Sequence, residues 1–336
     1  VTRECNAVAV EICFRPKNIR PPGLFSEACV LRTATMSVLV VGTVAQDTIE
    51  TPHGSAPYVL GGSATFFSWA ASFFTQVHLV GVIGEDFPPQ HKQLLADRGI
   101  DLTGLHTEPG GKTFYWHGRY HDDMNQRETL EVQLNVIANF DPVLPPSYRR
   151  IPYVFLANIN PWIQARILSQ MEQRPRLVVA DTMDFWIETQ RPGLLELLPK
   201  LDGLVLNDSE AKLLTGENNL IRAGEKVRTL GPKFVIVKKG EHGSYLLTKD
   251  GPFLLPGFPT GNVVDPTGAG DSFAGGMMGY LAADGSGAPG SLRRAIAYGS
   301  VVASITVEGF GLESLKRATR ADIDHRLEEY RKMLAF

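Results

Sequence analysis

The densest run of residues able to do chemistry is Asp265-Pro266-Thr267-Gly268-Ala269-Gly270-Asp271, followed at once by the apolar stretch Ser272–Ala283. A glycine-rich turn that opens a helix presents main-chain N–H groups uncovered by side chains, at the positive end of the helix dipole. Such a place suits a phosphate or a developing oxyanion. An aspartate in the first helical turn stands beside those donors and can take a proton from an incoming hydroxyl. Taken alone, the string reads equally well as a capped helix after a tight loop.

Two shorter groups precede it. Asn207 and Glu210 are spaced so that an amide and a carboxylate share one helical face, which suits water-mediated contact with Mg²⁺, though a plain helix cap has the same look. Lys238-Lys239-Gly240-Glu241-His242-Gly243 is a glycine turn at the end of an apolar strand. Pro109-Gly-Gly-Lys-Thr113 imitates a phosphate-binding P-loop, but His106 stands where its first glycine belongs, and the residues that follow read as a strand. The eight histidines show no metal-ligand spacing.

The elements that must position these groups alternate. Ser37–Gly42 is a short apolar run ending in glycine, and Gly61-Gly62 precedes the small and aromatic stretch Ser63–Phe74, read as a buried helix. Val77–Val82 reads as a strand and Pro88–Arg98 as a helix closed by Gly99. Strands follow at Tyr153–Ala157, Leu177–Ala180, Gly203–Leu206, Phe234–Lys238 and Ser244–Leu247. Helices are expected at Trp162–Gln173, Ser209–Thr215, Asp271–Ala283, Leu292–Val307 and Asp322–Leu334. This βα alternation predicts a parallel sheet covered on both faces. It breaks between Thr113 and Val136, where Leu130, Val132, Leu134 and Val136 alternate with polar residues; this predicts a hairpin outside the main sheet, a lid over about 111–137.

The bulk numbers exclude little but are informative. With 336 residues, 43% of them apolar, and a net charge of −3, the chain can bury a large core and shows no charge bias toward nucleic acid or an anionic membrane. No apolar stretch is long enough for a transmembrane helix. All three cysteines, Cys5, Cys13 and Cys29, precede Met36, so the body holds no disulfide and fits a reducing cytoplasm. Residues 1–35 lack periodicity and contain Pro16, Pro21 and Pro22; we expect a non-native upstream reading or a disordered leader, with a weakly basic transit peptide as the alternative. The working domain is expected over 36–336.

The string Asp265–Asp271 closely resembles the C-terminal signature of the PfkB, or ribokinase-like, kinase family, and the other groups fall in that family's order. The resemblance implies an α/β fold: a three-layer α/β/α sandwich with a mostly parallel central sheet and a small β-hairpin lid. It implies an ATP-dependent carbohydrate kinase that uses Mg²⁺. Gly268, Ala269 and Gly270 would form an anion hole, and Asp271 would be the catalytic base. Asn207 and Glu210 would join the magnesium and phosphate network. Lys238, Gly240, Gly243 and Thr267 would lie beside the nucleotide, and Ala303, within Ala297–Gly311, beside its adenine. Lys238 stands where the family usually has a hydroxyl residue. In some members the aspartate opening the signature, here Asp265, contributes to a monovalent-cation site, which admits K⁺ as a further cofactor.

For the acceptor, the resemblance implies Asp47, Gly61 and Gly62, with Asn158 and Asp181 at strand ends that face the ligand edge of such sheets. Phe66 replaces an asparagine that the family often uses on a sugar hydroxyl. A small sugar is the first expected acceptor. A nucleoside is the alternative, its base stacking on aromatics such as Phe66, Phe67 or Trp116. A catalytically inactive binding protein is the reading from another class. Family lids often pair, which implies a homodimer through the lid.

Overall fold

The computed structural model describes residues 36–288 and 290–335. The expected leader, residues 1–35, lies outside the described residues. Among the described residues thirteen strands form two sheets. In chain order they are β1 (Ser37–Val41), β2 (Ala45–Thr51), β3 (Gly54–Gly61), β4 (Gln76–Gly84), β5 (Asp101–Glu108), β6 (Phe114–Tyr120), β7 (Arg127–Gln133), β8 (Tyr153–Leu156), β9 (Leu177–Asp181), β10 (Gly203–Asn207), β11 (Phe234–Lys238), β12 (Ser244–Thr248) and β13 (Gly251–Leu255). Helices α1 (Ser63–Ala71), α2 (Pro89–Asp97), α3 (Pro161–Ser169), α4 (Asp184–Thr189), α5 (Arg191–Leu197), α6 (Asp208–Thr215), α7 (Leu220–Thr229), α8 (Ala269–Asp284), α9 (Ser291–Thr306), α10 (Glu313–Arg317) and α11 (Arg320–Leu334) complete the described residues.

The larger sheet has nine strands in the order β13-β12-β11-β10-β9-β8-β1-β4-β5, parallel except for the β11-β12-β13 meander at one edge. β1 is buried along its whole length, as a central parallel strand covered on both faces must be. It pairs with β4 on one side and β8 on the other, Val38 lying opposite both Val77 and Tyr153. The chain therefore turns back across β1, and ligands of such sheets lie in the crevice beyond the carboxyl ends of the strands near that point. The two faces carry separate cores. One holds Phe67, Phe155, Phe273 and Met277, and the other Leu39, Leu156, Leu206 and Val235.

Helices α1, α8 and α9 pack on the first of these faces. A Cβ on Gly275 of α8 would come within 2.4 Å of the Phe67 carbonyl oxygen of α1, so only glycine permits this approach. The tight contact fixes where the N-terminus of α8 emerges.

The smaller sheet corrects the expected lid. The hairpin of β6 and β7 is half of a four-stranded sheet, order β3-β2-β6-β7, to which Ala45–Gly61 contributes the other half. The lid is thus wider than 111–137, and it includes Asp47 on β2. β2 and β6 pair in parallel, Ala45 opposite Phe114. The expected strand through Val136 stops at Gln133, because Asn135 takes a positive φ of 48° and opens a 3₁₀ turn. Not anticipated from the sequence are β2, β3, β5, β13, α4, α5, α7 and α10, although α7 is strongly amphipathic.

Candidate active site

Gly268 caps α8 at φ 75°, a left-handed conformation that glycine adopts freely, and a Cβ there would strike the Phe66 ring at 2.4 Å. Phe66 is 1% exposed, so it forms the floor beneath the turn. It cannot reach a substrate, and Phe67, stacked on Phe155 at 4.4 Å, cannot either. Base stacking by these two rings is therefore overturned: burial in the helix–sheet core has used them. Trp116 lies on the lid and spans Gly118.

Asp265 is fully buried, and both of its oxygens are engaged by the main chain: Thr267 N–H donates at 2.9 Å and Gly311 N–H at 3.0 Å. The N–H groups of Val264 and Asp265 donate to the Val307 carbonyl at the end of α9. The segment holding Ala303 is thereby clamped to the glycine turn, with Asp265 as the clamp. Thr267 donates its hydroxyl to Tyr120 of the lid at 3.4 Å.

Asp271 stands in the first turn of α8. Burial pushes its carboxyl up to about 7, the charge of Asp181 adding to the rise and those of Lys238 and Arg127 opposing it. Lys238, ending β11, reaches Asp181 at the end of β9 at 3.3 Å. Its ammonium also occupies the place of the absent Gly270 side chain, 2.8 Å from where a Cβ would sit. Burial works against the lysine's charge, but Asp181, Glu210 and Asp271 outweigh it and raise its pKa.

Asn207 and Glu210 form a capping box on α6: the Asn207 side chain accepts from Glu210 N–H at 2.8 Å, and Asn207 N–H donates to Glu210 at 2.6 Å. The capping reading of this pair therefore holds geometrically. Glu210 nevertheless lies within charge range of Lys238 and Asp181: burial lifts its pKa, and Lys238 opposes the rise. Gly240 and Gly243 shape the turn after β11 with φ of 54° and 86°. The lid tip meets this turn, Asn125 donating to Glu241 at 3.1 Å.

On the acceptor side, Asp47 is 4% exposed and its pKa is pushed up to about 8, by burial first, against a hydrogen bond from Gly62 N–H and with the charges of Asp265 and Asp271 adding to the rise. A Cβ on Gly61 would fall 1.9 Å from an Asp47 oxygen, so the carboxylate fills the glycine's open side. Asn158 is less available: its side-chain oxygen accepts from the Trp186 indole at 2.8 Å, and its amide faces Met183.

The signature turn, Asp271, Lys238, Glu210 and Asp47 thus share one electrostatic neighbourhood, while Asn158 is held by protein partners. Sequence reasoning missed Arg127, which the lid brings close enough for its charge to act on both Asp271 and Glu210. Nothing but its place in the polar lid turn pointed to it. Tyr120, 8% exposed and bonded to Thr267, was missed for the same reason.

This arrangement can hold a polyanion against N–H donors and deprotonate a hydroxyl beside it. Residues 36–318 match the family described as pfkB family carbohydrate kinase. A cytidine kinase of Thermococcus kodakarensis is 30% identical over 250 residues, covering 72% of this chain and 87% of that protein. A nucleoside kinase of Burkholderia thailandensis solved with inosine superposes with TM-score 0.70 at 19% identity, over 87% of this chain and 98% of that one. An Arabidopsis thaliana ribokinase solved with ribose and ATP gives 0.69 at 21%, over 87% and 98%. In sequence and in fold alike, this chain belongs to the pfkB family of carbohydrate kinases, as an ATP-dependent sugar or nucleoside kinase.

Proposed function

We propose that the protein transfers the γ-phosphoryl group of ATP in line to a hydroxyl of a sugar, free or as the ribosyl part of a nucleoside. The observation that carries this reading is Asp271 at the N-terminus of α8, beside the Gly268-Ala269-Gly270 donors and within electrostatic reach of Asp47. Asp47, lodged against Gly61, binds acceptor hydroxyls and holds one of them toward Asp271. Asp271 takes the proton as the acceptor oxygen bonds to phosphorus; the bond to the bridging oxygen breaks, and ADP leaves. The turn's N–H groups bear the developing charge. With the lid over the site, water is kept from the phosphoryl group.

Among the described residues no three His, Cys, Asp or Glu side chains are grouped to cage a metal ion. The donors present fit Mg²⁺, which keeps several waters and is bound through substrate phosphates and one or two carboxylates. Glu210 is the carboxylate we assign to it, with Asn207 beside it, and Mg²⁺ supplies charge neutralisation of the phosphates. Asp265, engaged by two main-chain donors, serves in our reading as a clamp, and K⁺ dependence is its open test.

Between the acceptors, the likeness to the cytidine kinase favours a nucleoside, with a free sugar second. No helix among the described residues is long and apolar enough to cross a membrane, and the cysteine-free body supports a cytoplasmic setting. On the outer lid strand, Leu130 and Val132 are 37% and 48% exposed, which supports pairing of two lids.

The test is ATP consumption with Mg²⁺ across nucleosides, pentoses and hexoses. Turnover with a nucleoside, abolished in Asp271→Asn, is expected. Turnover with sugars alone would move the assignment to the second acceptor, and full activity in Asp271→Asn would remove the base.

A further inference from the structure

Lys238 is an ammonium short of partners. Among the described residues its one side-chain hydrogen bond is to Asp181, at a long 3.3 Å. Its side chain is half-buried, 19% exposed, and an ammonium with N–H donors not taken by protein partners can bind an anion that reaches it. Its head group lies against Gly270, inside the turn that faces the transferring group, and not along the outer part of a nucleotide site. Three carboxylates, Asp181, Glu210 and Asp271, act on it, so it stays charged across the working pH range.

We propose that Lys238 donates directly to the transferring phosphoryl group, and that Asp181 is the positioning residue that aims it. The inference rests on the kinase reading of this site. Glycine at 270 is required because the ammonium occupies the volume of a side chain there. As the phosphoryl oxygens arrive, the ammonium exchanges part of its long contact with Asp181 for shorter, charge-assisted bonds to them. No bond is made or broken by the lysine itself; the proton of the acceptor hydroxyl still goes to Asp271, and ADP still leaves.

The experiment compares wild type, Lys238→Met and Gly270→Ala in two assays. Calorimetry with ATP and with ADP needs no acceptor, and steady-state turnover uses the acceptor that the panel identifies. In Lys238→Met, ATP should bind at least about tenfold more weakly while ADP changes little. Turnover should fall about 10²–10³-fold, the scale of losing one donor to a developing oxyanion. The acid limb of kcat/KM should also move to higher pH, because the charge that favours ionised Asp271 is gone; the ATP-over-ADP difference is the readout that a merely structural lysine would not move.

Gly270→Ala keeps the charge and displaces only the flexible end of the lysine, so it should fold as wild type and reproduce the turnover loss in milder form. Lys238→Gln, which keeps most of the stem and removes the charge, decides the matter if Lys238→Met does not fold. Equal weakening of ATP and ADP with turnover retained would overturn the proposal, as would Gly270→Ala with wild-type kinetics. If no hydroxyl acceptor turns over but the ATP-over-ADP preference still depends on Lys238, the acceptor assignment fails and the lysine assignment stands.

Discussion

At the proposed phosphoryl end of the cleft the donors are main-chain N–H groups opening α8, and the surrounding side chains come from the carboxyl ends of β9, β10 and β11. At the proposed acceptor end the work falls to Asp47, on a strand of the separate four-stranded sheet. The first end is fixed by helix packing and strand register, and its chemistry is common to every phosphoryl acceptor. The second is fixed by one carboxylate against one glycine. The difference teaches where change is tolerated: loss of a main-chain donor needs the fold to move, whereas a new acceptor needs only a few side chains on the lid.

The largest expected effect breaks the phosphoryl end alone. Asp271→Asn should lower kcat by about 10²–10⁴ with acceptor and ATP affinities nearly kept, read by steady-state kinetics and calorimetry. Next comes the floor of the turn. Phe66→Ala removes the ring beneath Gly268 and should cost about 3–5 kcal/mol in denaturant unfolding. A cost near zero would mean that the turn is held by Asp265 alone.

The acceptor end should fail differently. Gly61→Ala forces its methyl onto Asp47 and should raise the acceptor KM about tenfold or more, with ATP binding unchanged. A matching loss of ATP affinity would show that the two ends are not separable.

The two ends also titrate apart. As the proposed base, Asp271 must be ionised to act, so kcat/KM should fall tenfold per pH unit below about 7. Asp47 is raised to about 8, so between its unfolded value and that pH the native state holds a proton that the unfolded chain releases. Stability therefore declines as pH rises through this window. Asp47→Asn should unfold a few degrees higher than wild type at pH 9 and with no difference at pH 4, the smallest of these effects.

Legibility in the sequence followed the same division. The α8 turn was readable because glycine, a helix start and an aspartate coincide within Asp265–Asp271, and the buried strands because continuous apolar runs have few other uses. β2 and β3 were not readable: β3 exposes half of its residues and buries only its last two, so no apolar period marks it. Arg127 and Tyr120 act through tertiary placement, and spacing along the chain carries no trace of that. Phe66 was visible as a departure from the family, but only its contact with Gly268 shows that it supports the turn.

The pairing of β2 with β6 bears on the order in which the molecule is assembled. Parallel neighbours cannot be joined by a tight turn, and here β3, α1, β4, α2 and β5 lie between them in the chain. The small sheet must wait for that whole stretch to pack, so its closure is a late, long-range event in folding. It is then the region that opens first, since β7 is exposed along its whole length. Amide exchange should find β6 and β7 releasing their protons well before β1, by an opening that leaves the nine-stranded sheet intact.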